Sequence, residues 1–371
     1  MKKNLFLGLI ALTALTVTGC SKDDVVSESP NINRAIEFGT YVGRDAQSRA
    51  HSIETVAKLA DDGGFGVFAY YTDGVSYDPN TTTGSVLNYM NNQEVTSTDG
   101  TNWTYSPKKY WPNESSDKLT FFAYAPYDED NKKTATVNGD PTIDFTVDSD
   151  VTNQKDLLVA DASGLKDLGN TTSTVTFPFK HVLSRVGFKV EAVVDRINGD
   201  SNGELDDDAK ANPDIDGATK ITVQEVELIG NFNISGTINL NSSSWVTTNN
   251  ATNSYTLGSS DFTDVATTGV TKNKQQLNKD SEYMMIIPHS TASYSIRVKY
   301  TVTTTDSSLV GVGSSVVKND ITSAEFPFTF DKGKAYNFVL HLGLKTVDLS
   351  ATVDSWDTPT DHAVNVPLNT L

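Results

Sequence analysis

The chain has 371 residues, with 29 lysines and arginines against 47 aspartates and glutamates, so its formal net charge is −18 at pH 7. A chain this acidic repels nucleic acid and anionic membrane surfaces, and we expect it to bind neither through charge. The length allows two domains of ordinary size, and the single cysteine, Cys20, excludes a disulfide within the chain.

The first residues of the chain have the pattern of an export signal. Lys2 and Lys3 precede an apolar run from Leu5 to Val17, which is too short for a comfortable bilayer span but suits a signal peptide. The run ends in Val-Thr-Gly-Cys, and small residues before a cysteine are what a lipoprotein signal peptidase reads. Residues 1–19 are therefore predicted to be a lipoprotein signal peptide and Cys20 the lipidated residue. The alternative is an ordinary secretory signal with an incidental cysteine. Acyl chains on Cys20 would attach the protein to a membrane.

A polar segment without periodicity follows, and residues 20–34 are predicted to be a tether. Arg34, Arg44 and Arg49 lie close together before the first helix, in a stretch that is polar enough to be accessible. A trypsin-like or arginine-specific protease could cut there and separate the body of the protein from its lipid. The alternative is that these are three ordinary surface arginines.

The body of the chain alternates apolar and polar residues with a period of two. A short first strand is predicted over AIEFGTYVG (35–43), and one helix over Ser52–Ala60, with Ser52 as its cap and Gly63-Gly64 as its stop. Threonine, valine and aromatic residues dominate the later runs, which is typical of β-sandwiches rather than βαβ units. We expect one domain over 35–170 and a second over 171–371. The predicted later strands are 65–71, 119–126, 141–147, 156–161, 173–179, 182–194, 220–230, 234–240, 283–288, 294–304, 326–330, 335–344 and 347–356.

No catalytic constellation is recognisable. None of the five histidines stands three or four residues from another, and the sequence contains no G-x-S-x-G, P-loop or G-x-G-x-x-G motif. We therefore expect no enzyme activity, no cofactor and no metal centre. The histidines are predicted to be structural or exposed, with His181 partly buried between two apolar segments.

One acidic segment, 198–217, partly matches a calcium loop. Its last ligand position falls on Ala209, where a bidentate acid is needed, and no helix flanks it. A mobile acidic hairpin is the favoured interpretation over a calcium site. The matching residues are Asn198, Asp200, Asn202, Gly203 and Asp206.

Several blocks of sequence resemble, in order, the fimbrillin family of Bacteroidetes. They are YSPKKYWP (105–112), LTFFAYAP (119–126), DLLVA (156–160), FPFKHVLSRVGFKV (177–190), YMMIIPH (283–289) and AYNFVLHLGL to VDLSATVDSW (335–356). The resemblance implies a type V pilin built from two tandem transthyretin-like β-sandwich domains, with one short helix near the N-terminus. In that phylum an acidic stretch beside the lipidated cysteine resembles a signal for transfer to the outer face of the outer membrane. Residues 21–24 are either such a signal or a solvated linker.

The resemblance also implies how the subunit would assemble. An arginine-specific protease would remove the N-terminal segment together with its first strand, and Arg49 matches the cleavage position best, with Arg44 and Arg34 as alternatives. The departing strand would be 36–42, in which Ile36, Phe38 and Thr40 share one face. A C-terminal strand from a neighbouring subunit would fill the groove by β-augmentation.

The predicted donor is the tail, residues 357–371. Its apolar face carries Val364, Val366 and Leu368, while Pro367 has no N–H to donate to a partner strand.

The function implied is a structural subunit of a cell-surface fimbria that supports adhesion. It would be an outer membrane lipoprotein before processing and part of the fimbrium afterwards, and its partners would be copies of itself or related subunits, the protease and a host or bacterial surface ligand. The alternative is a tip or anchor adhesin that does not polymerise and binds a glycan or a host protein. In that case Trp103, Tyr105 and Trp111 could stack on carbohydrate, although core packing is the favoured interpretation.

Overall fold

The computed structural model describes residues 34–42, 53, 55–80, 89–131, 139–193, 218–271, 273–279, 282–305, 314–344, 347–355 and 358–365. Within this part of the chain nearly all regular structure is β. The strands in chain order are β1 (Phe38–Val42), β2 (Phe65–Thr72), β3 (Met90–Val95), β4 (Lys118–Ala125), β5 (Thr142–Thr146), β6 (Leu158–Ala160), β7 (Val175–His181), β8 (Ser184–Ala192), β9 (Ala218–Asn239), β10 (Trp245–Gly258), β11 (Gln275–Gln276), β12 (Met284–Ile286), β13 (His289–Thr305), β14 (Ser314–Thr322), β15 (Phe326–Phe330), β16 (Lys334–Leu342), β17 (Val347–Ser355) and β18 (Thr358–Asn365). The predicted all-β class is confirmed.

Among the described residues, two short α-helices accompany the strands, α1 (Val56–Asp61) and α2 (Val265–Thr268). The predicted cap at Ser52 is wrong, because Thr55 has the extended backbone of a cap and its Oγ1 accepts from the Lys58 amide at 3.1 Å. The helix ends at the predicted glycines, and Gly63 has a φ of +96° that favours glycine. Neither helix of the described chain has the length and apolarity that a bilayer span requires.

The first sheet has the order β1-β7-β6-β4-β2-β3. Its central strands β2 and β4 are buried on both faces, which explains their nearly continuous aromatic sequences. Phe65 and Phe121 belong to one hydrophobic cluster, whereas their neighbours Phe68 and Phe122 belong to another. The sheet therefore separates two cores.

The second sheet has the order β10-β9-β13-β14, with β5 also paired to β9 and β15 to β13, and the third has the order β11-β8-β16-β17-β18, with β12 on β8. These two sheets share one core. Phe328 of the second sheet packs against Tyr336 and Phe338 of the third, each at 5.2 Å between ring centroids. The pair of sheets forms a sandwich over the second half of the chain.

Sheet membership changes between His181 and Ser184. A boundary at residue 170 would separate β7 from the sheet that it joins, and β5, which precedes that boundary, pairs with β9 in the second sheet. The turn-rich segment near 165–175 is thus a loop between two strands of the first sheet. The chain passes from the first sheet to the third in the short connection after β7.

Candidate assembly site

The leader strand, residues 34–42, forms one edge of the first sheet. Its strand β1 runs parallel to β7, with Phe38 opposite Val175 and Val42 opposite Phe179. Ile36 is fully buried, whereas Tyr41 points outwards and is 51% exposed. Of the three residues predicted to face inwards, Ile36 and Phe38 are buried apolar side chains and Thr40 is half-buried, and the inward face extends to Val42.

The backbone of β7 offers a complete set of donors to the leader strand. The Val175 amide donates to the Glu37 carbonyl at 2.9 Å, so alternate residues from Val175 onwards turn their N–H groups towards β1. The carbonyl of Pro178 accepts from the Asp161 amide at 2.9 Å, which places Pro178 on the opposite side, next to β6. The position of the N–H that Pro178 lacks therefore faces β6, and its absence removes no hydrogen bond to the leader strand. Removal of the leader strand would leave β7 as an open edge that can pair again.

Phe38 fills a slot lined by aromatic rings. It is 6% exposed, and edge-on or tilted rings surround it on several sides. Such contacts add to the large apolar area that each ring buries. The centroid distances from Phe38 are 5.0 Å to Tyr105, 5.4 Å to Phe177, 6.1 Å to Phe121 and 6.5 Å to Phe65.

A second wall closes the other side of the leader strand. We call residues 105–111 the clasp loop. The Ile36 amide donates to the Lys109 carbonyl at 2.9 Å, and the Trp111 amide donates to the Arg34 carbonyl at 3.0 Å. The leader strand therefore has backbone partners on both sides, β7 on one and the clasp loop on the other.

Side chains strengthen this clasp. The Tyr105 hydroxyl donates to the Ile36 carbonyl at 2.8 Å, and burial raises the pKa of Tyr105, so it stays a neutral donor. The Arg34 guanidinium donates to the carbonyls of Asn170 and Thr172 and lies 6.0 Å from the centroid of Trp111.

Downstream of the predicted cleavage site, Ile53 has its own anchor. Its amide donates to Oδ2 of Asp156 at 2.9 Å, and the residue is 2% exposed. The same carboxylate accepts from the Leu157 amide at 2.8 Å and lies 2.8 Å from Nδ1 of His181. The chain after the leader strand is therefore held by contacts that do not involve the leader strand.

The predicted modification and cleavage residues are only partly described. Cys20, Arg44 and Arg49 lie outside the described residues. Arg34 is described, and because its guanidinium is bound to two carbonyls and its backbone to the clasp loop, it is poorly placed as a cleavage point.

The predicted donor tail has folded back onto its own chain. β18 pairs antiparallel with β17, with Val364 opposite Ala351, and it forms an edge of the third sheet. Val366 and Leu368 lie outside the described residues. Tail and leader strand belong to different sheets, so the structure does not bring the two predicted exchange partners together within one chain.

The other predicted candidates are structural where they are described. Trp103, Tyr105 and Trp111 are 8%, 7% and 4% exposed, so their ring faces serve the core and the carbohydrate-stacking alternative is wrong. The histidines His181, His289 and His341 hydrogen-bond within the fold. Segment 198–217 lies outside the described residues, and among those described, no three His, Cys, Asp or Glu side chains gather as a metal site.

Two features of the site escape prediction from sequence. The clasp loop carries no apolar alternation, and its role depends on backbone contacts between distant segments. In the sequence, Asp156 is distinguished only as a polar residue at the start of an apolar run, DLLVA (156–160), and this does not predict its contacts with Ile53 and His181.

The fold and the site define an all-β protein whose first sheet is completed by its own leader strand. A family model described as fimbrillin-like matches residues 49–356. The chain therefore belongs to the fimbrillin-like family.

Individual relatives agree with this assignment. The chain is 34% identical over 195 residues to fimbrium subunit Fim1C of Phocaeicola vulgatus, an alignment that spans 48% of this chain and 49% of that protein. The chain thus spans about half the length of this curated relative. In structure it is similar to a fimbrial protein from Bacteroides vulgatus, with a TM-score of 0.66 and 22% identity over 87% of this chain and 100% of the other. That likeness concerns the fold.

Proposed function

We propose that this chain is a structural subunit of a cell-surface fimbria, exported as a lipoprotein and assembled by strand exchange. The proposal rests mainly on the leader strand. It is a single edge strand that fills an aromatic slot, and Ile53, on the far side of the predicted cleavage site, has its own anchor in the body. Loss of the leader strand would open both an apolar slot and a row of unpaired backbone groups, which is the surface that β-augmentation requires.

The proposed sequence of events begins at Cys20, whose lipid carries the precursor to the outer face of the outer membrane. An arginine-specific protease then cuts at Arg49. The leader strand leaves, and the tail of a neighbouring subunit, with Val364, Val366 and Leu368 facing inwards, takes its place. Partners in the fibre are copies of this chain or related subunits.

Protease treatment of the precursor tests this proposal. We expect cleaved wild-type protein to form ladders of polymers, resolved by electrophoresis without boiling. Arg49→Gln should block both cleavage and polymers, while Arg34→Gln should not, because Arg34 is held in the clasp. Deletion of 357–371 should leave cleavage intact and abolish the polymers. Cleaved wild-type protein that stays monomeric at high concentration would refute strand exchange.

Lipidation is tested separately in cells fed labelled palmitate. We expect label on the wild-type precursor and none on Cys20→Ala. Label on both proteins would disprove the assignment of Cys20.

A second function, that of a tip or anchor adhesin that does not donate a strand, is favoured by one observation. β18 already pairs with β17 of its own chain, so the tail must leave that strand before it can be donated. In this case cleaved protein would accept a synthetic tail peptide but never extend into polymers.

A further inference from the structure

The leader strand fits its slot imperfectly at one residue. Thr40 lies in β1 between Phe38 and Val42 on the inward side, and its Oγ1 is buried without a hydrogen-bond partner. A buried hydroxyl that has lost its hydrogen bonds to water, and has gained none within the protein, lowers the stability of the folded state. The flanking positions carry the apolar side chains that the slot accommodates.

The clasp loop also carries a buried polar atom without a partner. Trp111 of the clasp loop is 4% exposed, and its Nε1 is likewise buried without an acceptor while the leader strand is in place. Thr40 of the leader strand and Trp111 of the clasp loop therefore each carry one buried polar atom without a partner.

We propose that Thr40 is a built-in weak point that makes the leader strand replaceable by the tail of a second copy. This inference rests on the proposed function. The tail carries three aliphatic residues at successive inward positions, Val364, Val366 and Leu368. With Val366 in the place of Phe38, the place of Thr40 is taken by Leu368 if the guest runs parallel to β7, and by Val364 if it runs antiparallel.

In either direction the incoming strand replaces an unpaired hydroxyl with an aliphatic group. At this position the slot therefore favours the guest over the leader strand, and this difference can act once cleavage has freed the leader strand. Before cleavage the leader strand is covalently part of the chain, so the same weak point does not release it.

Thr40→Val tests the inference, because it keeps the shape of the side chain and removes the hydroxyl. Full-length precursor carrying Cys20→Ala is cleaved with an arginine-specific protease and mixed with synthetic peptide 357–371. Release of the leader fragment is followed by mass spectrometry of the separated fractions. We expect release to be at least about fivefold slower in Thr40→Val, as the loss of an unpaired buried hydroxyl implies. The matched control is Thr176→Val, an exposed threonine on the adjacent strand β7, which should release the fragment at the wild-type rate.

Peptide variants give a second readout that does not depend on folding. Val364→Thr or Leu368→Thr places a hydroxyl on the peptide instead. Only the variant whose threonine takes the place of Thr40 should slow release. The variant that does so also shows whether the peptide runs parallel or antiparallel to β7. Equal release from Thr40→Val and wild type, or no effect of either peptide variant, would overturn the inference. Wild-type protein that releases its leader fragment when the peptide is added, but builds no polymer in its absence, would instead refute the proposed function alone.

Discussion

Nδ1 of His181 lies 2.8 Å from Oδ2 of Asp156, and the two side chains are 3% and 0% exposed. Their contact joins β7 to the segment before β6, and the same carboxylate holds the Ile53 and Leu157 amides. One buried carboxylate thus joins β7, the segment before β6 and the backbone at Ile53.

Asp156→Ala should therefore be strongly destabilising. It leaves two amides and an imidazole without their acceptor, and we expect the free energy of unfolding to fall by about 3 kcal/mol. Urea unfolding followed by tryptophan fluorescence measures this loss, and hydrogen exchange should show reduced protection of the Ile53 amide. Asp320→Ala is the control, because Asp320 pairs with Arg297 at the surface and its loss should cost below about 1 kcal/mol. Equal losses would contradict this account of Asp156.

Phe38→Ala should empty the aromatic slot. Since Phe38 packs against four rings, the cavity should lower the free energy of unfolding by about 3–5 kcal/mol. Thermal unfolding of the precursor measures the loss. Tyr41→Ala removes an aromatic ring from the same strand, but this ring is 51% exposed and should cost about 0.5 kcal/mol or less. The slot would be shown not to be tightly packed if both variants melted together.

Tyr105→Phe tests the clasp. The change removes the hydroxyl that donates to the Ile36 carbonyl at 2.8 Å, and we expect a loss of about 1–2 kcal/mol in urea unfolding. Tyr110→Phe, a change on an exposed ring in the same loop, should be neutral. In protein cleaved at Arg49, Tyr105→Phe should also release the leader fragment faster. Wild-type stability and release in Tyr105→Phe would remove the hydroxyl from the clasp.

The pair between Asp161 and Lys180 gives a pH-dependent prediction. Lys180 donates to Oδ2 at 2.6 Å, and this bond, followed by one from the Ser163 amide, lowers the pKa of Asp161 to about 2. The folded pKa lies below the ordinary value of about 4, so the carboxylate stabilises the fold above pH 4 and loses this effect as the pH falls through 2.

Asp161→Asn should accordingly be less stable than wild type at pH 7, by less than about 1 kcal/mol because the pair is exposed to solvent. The difference in the free energy of unfolding should vanish near pH 2, which urea titrations at several pH values can follow. A difference that does not change with pH would show that the carboxylate charge plays no part.

The inward face of the leader strand could be predicted from sequence because alternation is a local property. The apolar residues Ile36 and Phe38 alternate with Glu37 and Gly39, and this pattern alone places them on one face. The partner strand could not be predicted, since Phe38 pairs with Val175 through tertiary contacts that no local pattern encodes.

The sequence pattern does not predict the bounds of a strand that pairs with different partners along its length. The sequence pattern predicts separate strands over 220–230 and 234–240, yet both runs belong to β9, whose first part pairs with β13 and whose last part pairs with β5. The sequence pattern predicts no strand where β10 lies. Its sequence, WVTTNNATNSYTLG, has little apolar alternation because it lies at an edge of the second sheet.

The parallel pairing of Phe38 with Val175 also has a consequence for the order of folding. Every other strand of the first sheet lies between these two residues in the chain, so the earliest strand to be made must wait for the latest before it can pair. Contacts this distant in sequence form slowly, because a long loop must close first. During synthesis and export, the leader strand therefore cannot pair with the sheet until β7 has emerged, and this pairing completes the first sheet.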